Sequence, residues 1–374
     1  MTGTDLLSPD EVREALRAYF AANPGLDEAR LLRDADPALD EAGFDRKRWN
    51  DLAGEVGLVA MAAPEAAGGL GLGLAHVIAA AEEAGACLYP GPLRASVLAA
   101  RALGDGDAHA ESILAGAAIV GMPQGFASHE PHLTLTSDGR VSGVVESVTH
   151  GLVADVLLAV ARTPDGPAAV LVSLDGGTGG VTRRPVRATD LTARLGDLHL
   201  DAVPATVAAP PGAVAEMGDA ARLLLAAEQV GGAQGCLGHA VGYANVRSQF
   251  GQLIGTYQAI QHRCAEVAVA VAAARSLVLA AAKAIDSGDA ENAHRLVLLA
   301  KAEASEAFAA AAEALVQVHG GIGFTWEHDA HLYFRRAKAT AVLDGRPSQL
   351  RDAAVVAGCL ALITPAGALM EVGS

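Results

Sequence analysis

Three glycines near the end of the chain could hold a phosphate group through their backbone. Gly320, Gly321 and Gly323 stand between two segments whose apolar residues recur at helical spacing. Glycine permits positive φ and close backbone approach, and N–H groups at the start of a helix attract anions. An ordinary turn between two helices, with glycine as its C-cap, has the same pattern. Spacing alone favours the turn, so a phosphate site needs support from other residues.

Composition narrows the classes of protein. The net charge is −16 at pH 7, so the chain lacks the basic surface that non-specific nucleic-acid binding requires. The four cysteines lie far apart and show neither metal-ligand spacing nor a disulfide framework, and no metal site is predicted. The segment Met1 to Asp10 is too polar for a secretory leader, and Gly, Arg and Glu interrupt the apolar stretches. We expect a soluble cytoplasmic protein outside the membrane.

Hydrophobic spacing divides the chain into three predicted domains. Residues 1–117 are predicted to be helical, and Ser8 to Glu11 has the pattern of a helix start. Residues 118–212 contain short β-branched runs and turn signals such as Asp138-Gly139. Residues 213–374 return to long helical spacing with short joints, which is typical of an antiparallel bundle. The predicted fold is α+β, with an N-terminal helical domain, a small central β-barrel or sandwich, and a C-terminal four-helix bundle.

Three local patterns occur within this helical–β–helical order. They are Pro64 to Gly71 in the N-terminal domain, Arg247 to His262 early in the bundle, and Gln317 to His328 near its end. Together they closely resemble the acyl-CoA dehydrogenase family of FAD enzymes, over about residues 45–361. The residues that follow the glycines resemble the shorter bacterial type, which is often found in steroid or polyketide acyl-CoA pathways.

The resemblance implies an FAD site that is shared between subunits. It places a set of residues at the FAD of a neighbouring subunit: Arg247, Phe250, Gln258, Gln317, Gly320 and Gly321. A guanidinium and close backbone amides suit a pyrophosphate, and an aromatic side chain suits a flat ring. A solvated cation is the alternative for Arg247, and a core position is the alternative for Phe250.

In the β domain, the resemblance places Thr149 beside the flavin ring, although threonine is also a common strand residue. The sequence departs from the family pattern nearby. Gly121 to Phe126 replaces the usual flavin-binding segment, and Ser147 stands where the family usually has tryptophan. Fewer side chains of this chain are therefore expected to reach the ring.

The resemblance also implies where a catalytic base should lie. A carboxylate must remove the proton from the thioester Cα while a hydride leaves Cβ. Asp344 matches the usual glutamate but is one methylene shorter, and a displacement of about 1 Å can cost roughly a hundredfold in rate. Asp344 is the predicted base; alternatively, it caps the last helix. Members with the base on the first bundle helix match at Arg222, which is not a base, and Glu228 is predicted to face an arginine.

These patterns leave three hypotheses. The first is an FAD-dependent acyl-CoA dehydrogenase that forms a trans-2-enoyl thioester from an acyl-CoA or acyl-carrier thioester and passes electrons to an electron-transferring flavoprotein. The second is a subunit without its own chemistry, which completes the FAD site of a catalytic homologue. The third is other acyl-carrier or oxygen chemistry on the same fold. A homo- or hetero-oligomer, dimeric or tetrameric, is expected, and the sequence does not specify the acyl group.

Overall fold

The protein is described here by a computed structural model, which covers residues 8–22, 25–34, 43–128, 130–174 and 180–359. The last part of the predicted bundle domain, residues 360–374, lies outside them. The helices are α1 (Pro9–Ala22), α2 (Gly25–Asp34), α3 (Arg46–Asn50), α4 (Leu74–Ala86), α5 (Leu93–Arg101), α6 (Ala110–Leu114), α7 (Val214–Ala244), α8 (Gln258–Asp286), α9 (Ala290–His319), α10 (Ala330–Thr340) and α11 (Pro347–Val356). The strands are β1 (Val120–Pro123), β2 (Leu133–Leu135), β3 (Arg140–Thr149), β4 (Val156–Thr163), β5 (Gly166–Ser173), β6 (Val181–Val186), β7 (Leu195–Ala209), β8 (Ser248–Gln249) and β9 (Gln252–Leu253).

The first helix begins as its sequence predicts. The Ser8 backbone N–H and hydroxyl donate to the Glu11 carboxylate over 2.6 and 2.8 Å, and the Glu11 N–H donates back to the Ser8 hydroxyl over 3.3 Å. This reciprocal pair satisfies backbone N–H groups that have no partner within the helix. Helix α1 then buries Val12, Leu16 and Phe20 along one face.

The central strands form a sheet that closes on itself. Strand β3 pairs with β2 and β7, β7 pairs with β5, β5 with β4, and β4 with β2, while β6 adds to the outside of β7. Asp138-Gly139 lies between β2 and β3, where Gly139 has φ +76°, as its turn signal predicts. Alternate residues of β3, Val141 and Val145, are buried in a small separate core. The predicted barrel-like β domain is confirmed.

The long helices α7, α8 and α9 pack together with α4, α10 and α11 to form the C-terminal bundle. By length and composition, Gln258–Asp286 and Ala290–Phe324 could each cross a membrane, so the predicted interruption of apolar stretches is wrong for these two segments. Their apolar character fits a place in a bundle, but only 28% of the apolar window of α8 is buried. Helix α8 therefore turns an apolar face outward, on which Val269 is 70% exposed.

Helices α4 and α7 touch backbone to backbone through glycines. A Cβ atom on Gly231 of α7 would lie 1.9 Å from the Glu82 carbonyl oxygen, and one on Gly85 of α4 would lie 2.1 Å from the Glu228 carbonyl oxygen. Both contacts are shorter than any real Cβ contact. Only glycine fits at these crossings, and no space remains between the two helices there.

Candidate functional site

Phe250 stands at the tip of a short hairpin. Strands β8 and β9 are joined by Phe250-Gly251, whose φ angles are +49° and +82°. Positive φ at both positions defines the tight turn that suits a two-residue hairpin. The Phe250 side chain is 95% exposed, so the alternative of a core position is wrong. Arg247, just before β8, is also exposed and has no side-chain hydrogen bond or ion pair within the described residues.

The glycine turn follows the C-terminal end of α9. Gly320 caps that helix with φ +62°, and its N–H donates to the carbonyls of Val316 and Gln317. Helix α10 starts only at Ala330. The glycines themselves begin a short 3₁₀ helix, Gly320–Phe324, which follows the carbonyl end of α9. The predicted helix start is thus a single short 3₁₀ segment, and the phosphate site stays a prediction.

Packing within this chain does not require glycine at position 321. A Cβ atom there would meet nothing within 4 Å, and the residue does not have positive φ. The described part of the chain therefore gives no reason for glycine at this position. Open space in front of a small residue is what a ligand or partner that approaches the backbone requires.

A cavity of about 570 Å³ lies beside the turn. Gln317 and Phe324 line one side, and Phe334, Arg335 and Lys338 of α10 line the other. The volume falls within the roughly 300–1,000 Å³ typical of small-molecule sites. Phe324 is 82% exposed, so the cavity opens toward the outside of the chain. Gln258, also predicted to contact FAD, is exposed at the start of α8.

Asp344 is held by backbone groups and does not project freely. Its Oδ1 accepts a hydrogen bond from the Ala127 N–H over 3.0 Å, and its own carbonyl accepts one from Arg222 Nε over 3.0 Å. Arg222 also donates to the Ala127 carbonyl over 2.9 Å and pairs with Asp219 over 2.9 Å. We call this set Arg222, Asp344 and Ala127 the interdomain knot. The alternative that Asp344 caps the last helix is wrong, since Arg346 is the N-cap of α11.

The predicted flavin contact in the β domain lies beside a much smaller cavity. The Thr149 hydroxyl donates to the Met122 carbonyl over 3.0 Å. The cavity next to it has a volume of about 90 Å³. Arg94 and Glu228 line it, with Arg94 Nη1 3.8 Å from Glu228 Oε2, as predicted for a carboxylate that faces an arginine.

Comparisons with known proteins agree with this architecture. The sequence matches the family models described as acyl-CoA dehydrogenase, N-terminal domain, over residues 10–123, and acyl-CoA dehydrogenase, C-terminal domain, over residues 213–353. It is 34% identical over 359 residues to acyl-CoA dehydrogenase IpdE2 of Mycobacterium tuberculosis, covering 92% of this chain and 96% of that protein. The chain belongs to the acyl-CoA dehydrogenase family. The predicted fold and an oxidoreductase function of the acyl-CoA dehydrogenase type are thereby confirmed.

Two solved acyl-CoA dehydrogenase-like structures are similar over nearly the whole chain. A variant of the Tcur3481–Tcur3483 steroid ACAD has a TM-score of 0.83 at 29% identity, and the match covers 95% of this chain and 99% of that one. The ChsE4–ChsE5 complex from Mycobacterium tuberculosis has a TM-score of 0.80 at 27% identity, and covers 98% of this chain and 100% of that one.

Two buried cations of this acyl-CoA dehydrogenase were not predicted. Arg94, 12% exposed, keeps its Nη1 without a hydrogen-bond partner in the described residues. Lys301 of α9 is completely buried, and its ammonium donates to the Ser305 hydroxyl over 2.7 Å and the Thr340 carbonyl over 3.2 Å. No local pattern marks either residue, because their burial depends on helices that are distant in sequence.

Replacing Lys301 with methionine should stabilise the protein at pH 7 by about 1–2 kcal/mol, since a buried charge without a carboxylate partner is unfavourable. Burial lowers the pKa of Lys301 from 10.5 to about 7. The unfolded chain then binds more protons than the folded chain between these values, so wild-type stability rises with pH and the advantage of the variant should shrink by pH 9. Urea unfolding at both pH values measures this.

Lys283→Met, at an exposed lysine of α8, is the matched control and should change little. A Lys301→Met protein that is less stable at both pH values would mean that the hydrogen bonds to Ser305 and Thr340 outweigh the cost of burial.

Proposed function

We propose that this chain is one subunit of a heteromeric acyl-CoA dehydrogenase and completes an FAD site held mainly by a homologous catalytic subunit. The observation that carries this proposal is a contrast between two surfaces. The residues matched to FAD contacts are exposed, Phe250 to 95%, whereas the cavity beside Thr149 inside the chain measures only about 90 Å³.

The outward surface fits part of an FAD molecule. Arg247, Arg335 and Lys338 are cations that suit the pyrophosphate, and Phe250 and Phe324 are exposed aromatic rings that suit a flat ring system. Phe324 is exposed beside the cavity of about 570 Å³, so its ring is available to a ligand there. FAD supplies hydride-accepting chemistry when it is bound, and an electron-transferring flavoprotein would take up the electrons.

The interior site does not fit a flavin ring in this chain. A cavity of about 90 Å³ is well below the roughly 300 Å³ at which small-molecule sites begin. The hydroxyl of Thr149 is engaged with the Met122 carbonyl, and the charged groups of Arg94 and Glu228 line the space. Asp344, the candidate base, is fixed in the interdomain knot by the Ala127 N–H. The proposal therefore gives the dehydrogenation step to the partner subunit.

The exposed face of α8 supports assembly with another chain. Ala265, Val269, Ala272 and Ala273 recur at helical spacing on this face, and all four are exposed. The hairpin that carries Phe250 comes shortly before this helix in the chain, since α8 begins eight residues after Phe250, at Gln258. One partner surface could thus cover both, burying apolar area that water now contacts.

Co-expression tests the proposal. Purified alone, the chain should be colourless; co-expressed with a homologous acyl-CoA dehydrogenase chain encoded nearby, it should co-purify as a yellow complex with one FAD for each pair of chains. Anaerobic addition of an acyl-CoA should bleach the complex. Asp344→Asn in this chain should leave bleaching unchanged, whereas replacing the matching carboxylate of the partner should abolish it.

The second candidate is a self-sufficient enzyme in which Asp344 is the base, and it is favoured by the match of Asp344 to the family's glutamate position. It predicts the opposite results. The chain alone would be yellow and would be bleached by an acyl-CoA, and Asp344→Asn would abolish bleaching while FAD stays bound. These results would overturn the heteromeric proposal.

A further inference from the structure

Three aromatic rings, those of Tyr243, His319 and His328, contact one another in series next to the glycine turn. His319, the last residue of α9, stacks on Tyr243 of α7 with ring centres 4.1 Å apart and an angle of 23° between the ring planes. The centre of the His328 ring lies 4.2 Å from that of His319, with an angle of 46° between the ring planes. The turn Gly320–Phe324 begins directly after His319, and His328 follows four residues after its end. The two imidazoles therefore hold the two ends of the segment that contains Gly320 and Gly321.

Hydrogen bonds fix which nitrogen of each ring carries a proton. His319 Nδ1 lies 2.9 Å from the Leu315 carbonyl oxygen, which only accepts, so this nitrogen carries the hydrogen. His328 Nδ1 accepts from the Ala330 N–H over 3.1 Å, so this nitrogen presents its lone pair. Ala330 is the first residue of α10. His328 thus provides an acceptor for a backbone N–H that has no partner within its helix.

We propose that His328 is an acid-sensitive positioning residue, which in its neutral form caps α10 and holds the glycine turn in place. A proton on Nδ1 removes the lone pair that accepts the Ala330 N–H. The hydrogen bond to Ala330 is therefore lost when His328 becomes a cation. The role of the turn in FAD binding rests on the proposed function above, whereas the acid response of the turn does not.

The surroundings oppose a positive charge at His328. The titratable groups that act on His328 are His319 of α9, His239 of α7, Asp329 beside it and His331 of α10. Around these groups, Tyr243 contacts His319, Tyr333 contacts His239, and Arg30 of α2 pairs with Asp329. Asp329 alone would favour the cation, but its carboxylate already accepts hydrogen bonds from Arg30 Nη2 over 2.6 Å and from Arg30 Nε over 2.9 Å. The positive end of the α10 dipole adds a further unfavourable contribution.

The direction of the pKa agrees with this geometry. Burial, and then His319, lower the pKa of His328 below 6.5. As the pH falls through about 6.5, the unfolded segment binds a proton that the folded segment does not, so stability of the turn is lost on the acid side. Above that pH both states are neutral and the cap is intact.

Hydrogen–deuterium exchange of the isolated chain tests the proposal, with peptides from residues 316–334 followed between pH 5 and 7.5 and corrected for intrinsic exchange rates. Wild-type protection should fall about tenfold across this range. His328→Asn should keep its protection at every pH, because the asparagine oxygen caps a helix but does not titrate. His328→Ala should be poorly protected throughout. His319→Phe keeps an aromatic ring beside His328 but removes a group that lowers the pKa of His328, so the acid loss of protection should be smaller than in wild type.

His199→Asn, at an exposed histidine of β7, is the control and should behave as wild type. An acid response that persists unchanged in His328→Asn, or a wild-type profile that does not depend on pH, would overturn the proposal. In the co-expressed complex, wild type should lose FAD as the pH falls from 7.5 to 5, and His328→Asn should retain it. A complex without FAD at any pH would refute the proposed function, yet leave the exchange result as a separate test of His328.

Discussion

Replacing Gly321 with leucine should leave the isolated chain folded and remove at least nine-tenths of the FAD from the co-expressed complex. A Cβ atom at Gly321 meets nothing within 4 Å in this chain, so unfolding should change by less than about 0.5 kcal/mol. In the proposed complex, the same space is occupied by FAD or by the partner subunit, and a leucine side chain would fill it. FAD absorbance per pair of chains, after gel filtration, measures the loss.

Gly104→Leu is the matched control for this experiment. Gly104 is also exposed, and a Cβ atom there also meets nothing within 4 Å, but it lies in the N-terminal helical part. This variant should retain both FAD and partner. If Gly321→Leu also keeps its full FAD content, the glycine turn does not face the cofactor, and the shared site proposed here is incorrect.

Gly231→Ala should destabilise the chain by about 3 kcal/mol or more, as overpacking of a close contact does. The new Cβ would lie 1.9 Å from the carbonyl oxygen of Glu82, so α4 and α7 must move apart. Glu82 resists this movement, because its buried carboxylate binds Arg13 of α1 over 2.6 Å and Arg275 of α8 over 2.8 Å. Urea unfolding followed by circular dichroism measures the change.

The same helix offers the control. Gly238→Ala lies in α7 where a Cβ atom meets nothing within 4 Å, so it should gain roughly 0.5–1 kcal/mol from better helix propensity. Equal effects at both positions would show that α4 and α7 can separate at little cost. The close glycine crossing would then not explain why no space remains between these helices.

Sequence reasoning was most successful where the signal is local. The Ser8–Glu11 start of α1 and the Asp138-Gly139 turn depend on neighbours within a few residues, and both are present. Local spacing also predicts a phosphate site at a helix start; Gly320 caps the end of α9 and begins only a short 3₁₀ helix, Gly320–Phe324. The pattern of glycines between two helices does not say which helix end they follow.

The candidate site was harder to predict because its contacts join distant parts of the chain. Asp344 could be aligned with the family's base, but its hydrogen bond to Ala127 spans 217 positions and has no local pattern. Phe250 could be assigned to a motif, although only the hairpin geometry reveals that its ring is outside the core. The roles of these residues in binding FAD stay predictions until the complex is measured.

The interdomain knot also bears on how this chain can evolve. Arg222 and Asp344 stand at the two positions where the resemblance places a base. Arg222 donates hydrogen bonds to the backbone carbonyls of Asp344 and Ala127, so a hydrogen bond joins the two positions. Loss of Arg222 alone would leave three acceptors without their donor, namely the carbonyl oxygens of Asp344 and Ala127 and the Asp219 carboxylate. Replacing Arg222 by a carboxylate therefore requires further substitutions at these acceptors. Under the heteromeric proposal, this coupling would favour joint inheritance of the genes for the two subunits.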